Sequence, residues 1–207
     1  MDNDKIITAR IEDKLEQCER GSYITATGFL NMHEQSLAMR IVKGRSDVKS
    51  FFYGGYEDAE RRIIMFVPDG YADTLEGVLE MISPLSVLHI KVAPGGRKLT
   101  HRDYLGSVLS LGLDRSVIGD ILVNDNGADM IVNSEIVDFL LAEFHSAGHT
   151  NLQITASDIG ELEVPEQRVK AVRDTLSSPR LDNVVSAAFH VSRSEAVRAI
   201  KGGIVFV

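Results

Sequence analysis

The stretch that decides the fold runs from residue 86 to residue 156 and reads SVLHIKVAPGGRKLTHRDYLGSVLSLGLDRSVIGDILVNDNGADMIVNSEIVDFLLAEFHSAGHTNLQITA. Its apolar runs predict strands at 86–92, 119–123, 128–132 and 151–156, with the turn NDNG between the second and third. Helices are predicted from Thr100, which has Asp103 at capping-box spacing, and from Ser134 to Ala147. The order β-α-β-β-α-β predicts a ferredoxin-like fold for residues 83–157, which many RNA-recognition domains share.

RNA-recognition domains usually stack bases on aromatic side chains of the central strands, and here those strands offer only His89 and Met130. The loop after the first strand suggests another chemistry. Gly95-Gly96 permits tight backbone geometry, cations follow, and a helix N-terminus attracts phosphate. The alternative is a loop with solvated charges. We therefore predict a secondary RNA-binding surface made of Arg97, Lys98, His101, Arg102 and Arg115.

Residues 1–82 read as a smaller α+β unit. A helical stripe (Ile7, Ile11, Leu15 and Cys18) is followed by a second helix capped by Asn31 and by the strands VKSFFY (48–53) and RIIMFV (62–67). The aromatic cluster Phe51, Phe52, Tyr53 and Tyr56 could stack bases, but such a cluster is more often core plus a turn. We expect a core role for it, and for Cys18.

The end of the chain, SSPRLDNVVSAAFHVSRSEAVRAIKGGIVFV (177–207), predicts two helices and a strand. Leu181, Val184, Val185 and Ala188 form the apolar stripe of the first helix. Ser192 and Glu195 have capping-box spacing at the start of the second, which Gly202-Gly203 ends. Before this module, residues 158–177 read as a connector with one short strand, EQRVKAV (166–172).

The second of these helices carries cations on one side. At about 100° per residue, Ser194, Arg198 and Lys201 gather away from Val197 and Ile200, and Arg193 lies beside the helix start. Cations near a helix N-terminus attract phosphate, although basic helices also occur as plain solvated faces. The primary RNA-binding residues predicted here are Arg180, Arg193, Ser194, Arg198 and Lys201.

The net charge of −8 opposes RNA binding, but the charge is unevenly distributed along the chain. Residues 91–120 and 177–207 each carry +2, while 1–90 and 121–176 carry −5 and −7. Because potentials decay within about 10 Å, acidic segments elsewhere can coexist with a binding face. One cysteine, no apolar run of membrane length and no signal-peptide pattern predict a cytoplasmic protein without a membrane partner.

The terminal pattern RLD, apolar helix, SRSEA, second helix, GG and strand resembles the opening half of the S-four (alpha-L) RNA-binding motif. The resemblance implies that the two helices and the strand lie against structured RNA. In that family the chain continues through an Asn-Gly-type turn into a further hairpin. This sequence stops at Val207, so we expect the motif to be truncated.

Four segments in order resemble the bacterial YlmH family: GFLNMHEQ (28–35), FFYGGYEDAERRIIMFVP (51–68), LTHRDYLGSVLSLGLDRSVIGDILV (99–123) and SSPRLDNVV (177–185). The resemblance covers essentially the whole chain. It implies an N-terminal α+β domain, a ferredoxin-like RNA-binding domain and a terminal S-four module. It also implies association with the large ribosomal subunit carrying peptidyl-tRNA, in rescue of stalled nascent chains, and genes beside cell-division genes.

No constellation in the sequence demands catalysis or a cofactor. Arg180-Leu181-Asp182 echoes the active-site tripeptide of pseudouridine synthases, but Asp182 reads better as a first-turn charge that favours the helix dipole. His145 and His149 have metal-like spacing, which Gly148 interrupts, and no third ligand is evident. We expect a non-catalytic protein, without metal or DNA, that binds structured RNA (rRNA or tRNA). The alternatives are an RNA-modifying enzyme and a cell-division interaction protein.

Overall fold

The computed structural model describes residues 3–43, 45, 48–164, 173–176, 178–201 and 205. The chain forms two compact units, residues 1–165 and residues 166–207. The predicted strand at 166–172, the Gly202-Gly203 helix stop and most of the final strand lie outside the described residues. The domain boundaries after residues 82, 157 and 177 remain our proposal, since the first unit joins the first two predicted domains.

The N-terminal part of the first unit is a small antiparallel sheet with three helices. Its strands lie in the order β1-β3-β2. Its elements are α1 (Asn3–Gly21), β1 (Thr25–Ala26), α2 (Met32–Val42), β2 (Val48–Tyr53), β3 (Ile63–Pro68) and α3 (Leu75–Met81).

Local sequence signals explain most of these elements. Asn31 caps α2, as predicted, and the structure adds a reciprocal capping box with Glu34. Cys18 is completely buried beside Ile11 and Leu15 on α1, so its predicted core role is confirmed. Helix α3, which the sequence analysis did not identify, begins at Thr74, whose hydroxyl accepts a hydrogen bond from the Gly77 amide.

The aromatic cluster belongs to the core, as expected. Phe52 packs against the apolar cluster under α1, and Phe51, Tyr53 and Tyr56 pack against a second cluster around Phe29. All four side chains are at least half-buried in this packing. They are therefore not an open base-stacking surface.

The middle part is the predicted ferredoxin-like domain. Its strands form one antiparallel sheet in the order β5-β6-β4-β8-β7, the strand order of a split βαβ fold with one short added edge strand. Its elements are β4 (Leu85–Val92), α4 (His101–Leu109), β5 (Ile118–Val123), β6 (Gly127–Asn133), α5 (Val137–Glu143), β7 (Ser146–Ala147) and β8 (Thr150–Asp158).

The second helix of this domain is shorter than predicted. Residues 134–136 form a 3-10 turn, α5 ends at Glu143, and Ser146–Ala147 pair with β8 as a strand. The reason is Gly148, which has φ +62 and turns the chain tightly between β7 and β8. Phe144 and Ala147 remain buried in the domain core, which satisfies the apolar pattern that predicted a longer helix.

The two domains of the first unit share an apolar core. Phe29 from the N-terminal part packs in one cluster with Leu85 and Ile131 from the middle part. Gly119 makes this approach possible, because an added Cβ would lie 2.7 Å from the Phe29 ring. The main chains also meet, since the Phe29 amide donates to the Ser116 carbonyl at 2.6 Å.

A buried polar network fixes the same junction. The Asp120 carboxylate, on β5, accepts hydrogen bonds from the Tyr56 hydroxyl (2.9 Å) and from the amides of Glu60 (2.8 Å) and Arg61 (3.1 Å). In return, the Arg61 guanidinium donates to the carbonyls of Phe29, Arg115 and Ile118 at 2.9–3.2 Å. Burial, with the Asp120 charge second, raises the pKa of Tyr56 and keeps its hydroxyl a donor.

Replacing Asp120 with Ala should destabilise the first unit by about 3 kcal/mol, because three partly buried donors lose their acceptor. The free energy of unfolding from urea denaturation, followed by circular dichroism, measures the effect. Asp58→Ala, which removes an exposed carboxylate nearby, should change that free energy by less than about 0.5 kcal/mol. Equal effects of the two substitutions would contradict the assigned role of Asp120.

Candidate nucleic-acid interface

The second unit presents the two predicted helices, α6 (Leu181–Phe189) and α7 (Arg193–Lys201). Helix α6 ends at His190, which adopts the left-handed conformation with φ +52. Helix α7 begins with the predicted capping box: the Ser192 amide donates to the Glu195 carboxylate at 2.9 Å, and the Glu195 amide donates to the Ser192 hydroxyl at 3.3 Å. The structure therefore confirms the predicted pair of helices joined by a short turn.

The apolar face of α6 differs from the prediction. Val185 is buried, but Leu181 and Val184 are 37% and 41% exposed. Asp182 is buried instead, with 6% of its surface accessible. The periodicity identified the helix correctly, but it could not show that an acidic residue would occupy the helix interface. Ala196 of α7 is completely buried and lets the two helices approach closely.

Asp182 organises the predicted cations. Its carboxylate accepts from Arg180 Nε at 3.0 Å and Nη2 at 3.4 Å, and from Arg193 Nε at 2.7 Å. The hydrogen bonds from Arg180 first, and then those from Arg193, lower the pKa of Asp182 to about 2. One buried anion thus holds two guanidinium groups, whose side chains remain 65% and 60% exposed.

This clamp leaves a surplus of positive charge. Two cations share one carboxylate, and each guanidinium has five N–H donors, of which the clamp uses only some. Arginine forks of this kind match phosphate oxygens well. The clamp therefore orients Arg180 and Arg193 without neutralising them.

The outward face of α7 is as predicted. Ser194, Arg198 and Lys201 are exposed, whereas Val197 and Ile200 are half-buried. Arg180 and Lys201 line one shallow groove of about 370 Å³ with Asp182, Val197 and Ile200. The structure thus brings a residue from the start of α6 and one from the end of α7 to a common surface.

The secondary surface is largely neutralised by neighbouring acids. Arg97 makes a bidentate ion pair with Asp103 at 2.6 and 3.1 Å, and Lys98 lies 2.9 Å from the Asp125 carboxylate. Asp103 also closes the predicted capping box with Thr100. Its hydrogen bond from Arg97 is the main reason why its pKa lies well below the usual range.

Arg115 occupies a different environment from the one expected. It is half-buried, and its guanidinium donates to the carbonyls of Ile118 and Gly119. Burial, with Arg61 second, lowers the pKa of Arg115 to about 10. It lines a cavity beside α1, whereas Arg97 and Lys98 line another groove. The structure therefore does not bring Arg115 together with those two residues.

His101 and Arg102 lie in the first turn of α4, and both are exposed. Desolvation, with the Arg115 charge second, lowers the pKa of His101, so the imidazole contributes little positive charge at neutral pH. Of the five secondary residues, Arg102 is exposed and makes no ion pair within the part of the chain that the structure describes.

A hydrogen-bonded group around His89 lies on the open face of the middle sheet. The sequence pattern indicated only that the central strands lack aromatic side chains for base stacking. His89 Nδ1 lies 2.6 Å from Asp129 Oδ1, and His89 Nε2 lies 2.8 Å from Ser157 Oγ. These residues come from β4, β6 and β8. The alternation of SVLHIKV places His89 and Lys91 on one face, but the partners follow only from strand register. Met130 faces the core and is completely buried.

Metal-binding groups and membrane-spanning helices are absent from the described residues. No group of three potential metal ligands occurs among the residues that the structure describes. His145 hydrogen-bonds to the Ala142 carbonyl at 2.6 Å. Within the same ranges, no helix is long and apolar enough to cross a bilayer.

Comparison with known proteins places this architecture in a class and then in a family. Residues 84–161 match the family model "Putative RNA-binding domain in YlmH", and residues 3–71 match "YlmH, N-terminal". The chain is 32% identical over 181 residues to "Ribosome-associated protein quality control protein P2" of Bacillus subtilis (strain 168), covering 87% of this chain and 68% of that protein. The two matches therefore identify an N-terminal domain followed by a domain whose family model is described as RNA-binding. The chain belongs to the YlmH family.

A solved structure agrees on the fold. "Cell division protein ylmH from Streptococcus pneumoniae" superposes with a TM-score of 0.61 at 20% identity, covering 78% of this chain and 94% of that chain. At this identity the likeness establishes the α+β architecture. The family resemblance found from the sequence is confirmed.

The Asp182 clamp should be visible as a titration. We expect an NMR midpoint for the Asp182 carboxyl near pH 2 in the wild type, rising in Arg180→Ala and Arg193→Ala, because each guanidinium stabilises the ionised form. Because the folded pKa is depressed, the clamp should stabilise the helix pair fully above about pH 4, and this contribution should be lost as pH falls towards 2.

Arg198→Ala provides the matched control for this titration. It removes one cation from the same helix without removing a donor to Asp182, so the midpoint should not move. A midpoint that stays constant in all three arginine variants would rule out the clamp.

Proposed function

We propose that this chain is a non-catalytic RNA-binding protein that grips structured RNA, rRNA or tRNA, on the large ribosomal subunit. There it assists translation or the rescue of stalled nascent chains. The observation that carries the proposal is the helix pair of the second unit, in which one buried carboxylate orients Arg180 and Arg193 while Ser194, Arg198 and Lys201 face outwards.

The electrostatics of this surface suit a polyanion with a defined shape. The described residues 178–201 carry two more cations than anions, in a protein whose overall charge is −8. Acidic segments elsewhere in the sequence repel non-specific polyanions, so affinity depends on a partner that fits the basic face. A folded RNA provides closely spaced phosphates for such a face, and Ser194 adds a neutral hydrogen-bonding group.

Relatives support the same proposal. The family model for residues 84–161 names an RNA-binding domain, and the Bacillus subtilis relative is named for ribosome-associated quality control. The S-four assignment of residues 178–207 rests on its motif and on the observed helix pair. The name of the pneumococcal structure keeps a cell-division role as the alternative, in which the acidic domains would contact division proteins.

The pseudouridine-synthase alternative loses its candidate residue. A catalytic aspartate must reach the substrate, whereas the Asp182 side chain is 7% exposed and is held by two guanidinium groups. Asp182 instead acts as an internal anchor for RNA-binding cations.

We expect the full chain to sediment with purified large ribosomal subunits, and Arg198→Ala with Lys201→Ala to weaken this binding about tenfold or more at 0.1 M salt. The slope of log affinity against log salt should become shallower by about 2, because two phosphate contacts are lost. Quantitative co-sedimentation over a range of salt concentrations measures both quantities.

The matched control is Arg40→Ala with Lys43→Ala, which removes two exposed cations from the end of α2. It should leave affinity and salt slope near the wild-type values. Equal behaviour of the two double variants would remove the assignment of α7, and recovery of division proteins without ribosomal subunits from cell extract would favour the alternative role.

One observation favours a second candidate function. The order Asp129, His89, Ser157 is the hydrogen-bond order of a hydrolase triad. In such a reaction Ser157 Oγ would attack an acyl carbon, and its proton would pass to His89 Nε2 and then to the leaving oxygen. Water would afterwards release the acyl group by the same route.

A fluorophosphonate probe separates the two candidates, because it labels activated serines. The RNA-binding proposal expects no labelling of Ser157 in the intact protein. Labelling that disappears in both Ser157→Ala and His89→Phe would establish the hydrolase instead, whereas labelling that survives His89→Phe would come from another serine.

A further inference from the structure

The open face of the middle sheet is arranged in rows across its strands. Register places Asp129, His89 and Thr155 side by side on β6, β4 and β8. The row before it contains Ile131, Val87 and Ser157, and the row after it contains Gly127, Lys91 and Gln153. Residues directly opposite one another point to the same face, so these three rows form one surface.

The N-terminal domain covers only one end of this surface. Ile131 and Val87 are completely buried, and Ile131 packs in the shared core with Phe29. The His89 side chain is 30% exposed, and Lys91 and Thr155 are exposed. Four residues of the next two rows, Asp129, His89, Thr155 and Lys91, therefore form the floor of an open groove of about 620 Å³, walled by residues 124–126 and by Glu163 and Val164.

His89 is fixed at the centre of this floor. Its two ring nitrogens are engaged by Asp129 at 2.6 Å and by Ser157 at 2.8 Å, on the two flanking strands. A ring held from both sides loses little conformational entropy when a ligand arrives. Because both nitrogens are occupied and 30% of the side chain is exposed, stacking on the exposed part of the ring is the interaction that His89 can offer a ligand.

The lining carries one cation, Lys91, and three carboxylates, Asp125, Asp129 and Glu163, so a phosphate of a bound ligand would lie at the Lys91 side. Asp129 is engaged by His89, and Asp125 lies 2.9 Å from Lys98. The two further charges of the lining, Glu163 and Lys91, have opposite signs. The amides of Asn124 and Asn126 and the Thr155 hydroxyl also line the groove, and such groups can hydrogen-bond to the edge of a base.

We propose that this groove binds a single unpaired nucleotide of RNA, with its base stacked on His89 and its phosphate near Lys91. The inference rests on the proposed RNA-binding function and adds a second contact, which reads an unstacked base. In this proposal the helix pair of the second unit contacts phosphates, whereas the groove favours a nucleotide that is flipped out of the RNA helix.

The test uses two RNAs: a short hairpin with one 2-aminopurine in its loop, and the fully paired duplex of the same stem. Stacking quenches 2-aminopurine fluorescence. We expect the full-length wild-type protein to quench the loop base, and His89→Ala to abolish quenching and weaken hairpin binding roughly tenfold. His89→Phe should retain the quenching, because it keeps a ring without the hydrogen bonds.

Three further variants complete the design. His149→Ala removes an exposed histidine of the same domain outside the groove and should behave as wild type. Lys91→Ala, at an exposed position where folding is not at risk, should weaken the hairpin more than the duplex. Arg198→Ala with Lys201→Ala should weaken hairpin and duplex alike, because it acts on phosphate contacts.

The outcomes separate the two proposals. The nucleotide site would be overturned if the wild type bound the hairpin but His89→Ala left the quenching unchanged and Lys91→Ala left the affinity unchanged. The proposed function would then stay intact. Failure of the wild type to bind or quench the hairpin would overturn the nucleotide site, whereas the proposed function would be overturned only if the protein also failed to sediment with large ribosomal subunits. Loss of quenching in His89→Phe as well as His89→Ala, with circular dichroism unchanged, would show that the histidine acts through its hydrogen bonds and would also overturn the stacking site.

Discussion

The buried exchange of hydrogen bonds between Asp120 and the segment 56–61 is the constraint on which the first unit depends. Asp120 receives three donors, and Arg61 returns donors to three carbonyls, so each side of the junction satisfies the other. A buried charge with its hydrogen bonds complete specifies one arrangement, because any displacement leaves unpaired polar groups. The N-terminal domain is thereby fixed over one end of the middle sheet, which leaves the His89 end open.

A second carboxylate organises the helix pair by the same physics with a different result. Asp182 is outnumbered by two guanidinium groups, so orientation is gained and positive charge remains. The cations of the middle domain show the opposite balance, because Arg97 and Lys98 each face a carboxylate of their own. Exposed pairs of that kind contribute little to stability, but they remove charge that phosphate would need. The ratio of cations to nearby acids therefore distinguishes the two basic segments better than their equal net charges do.

These features give the protein two chemically distinct surfaces, each described within its own unit. One is basic and polar and suits phosphates. The other is a groove with a fixed imidazole, amide groups and one lysine, which suits a base with its phosphate at the lysine side. Two modest contacts on one chain gain strength when both engage the same molecule, because the second contact forms at a high effective concentration.

The sequence by itself determined the elements whose signals are local. Cap residues located the starts of α2, α4 and α7. Strand patterns predicted the order of the ferredoxin-like domain, and four ordered motifs identified the family. Tertiary structure alone decided which charges remain available, since Asp182, Asp103 and Asp125 meet their partners through packing and loop geometry. It also decided the His89 site, because strand register joins residues 40 and 68 positions apart. Periodicity reports which face a residue occupies, whereas its neighbour on that face depends on long-range pairing that no local pattern encodes.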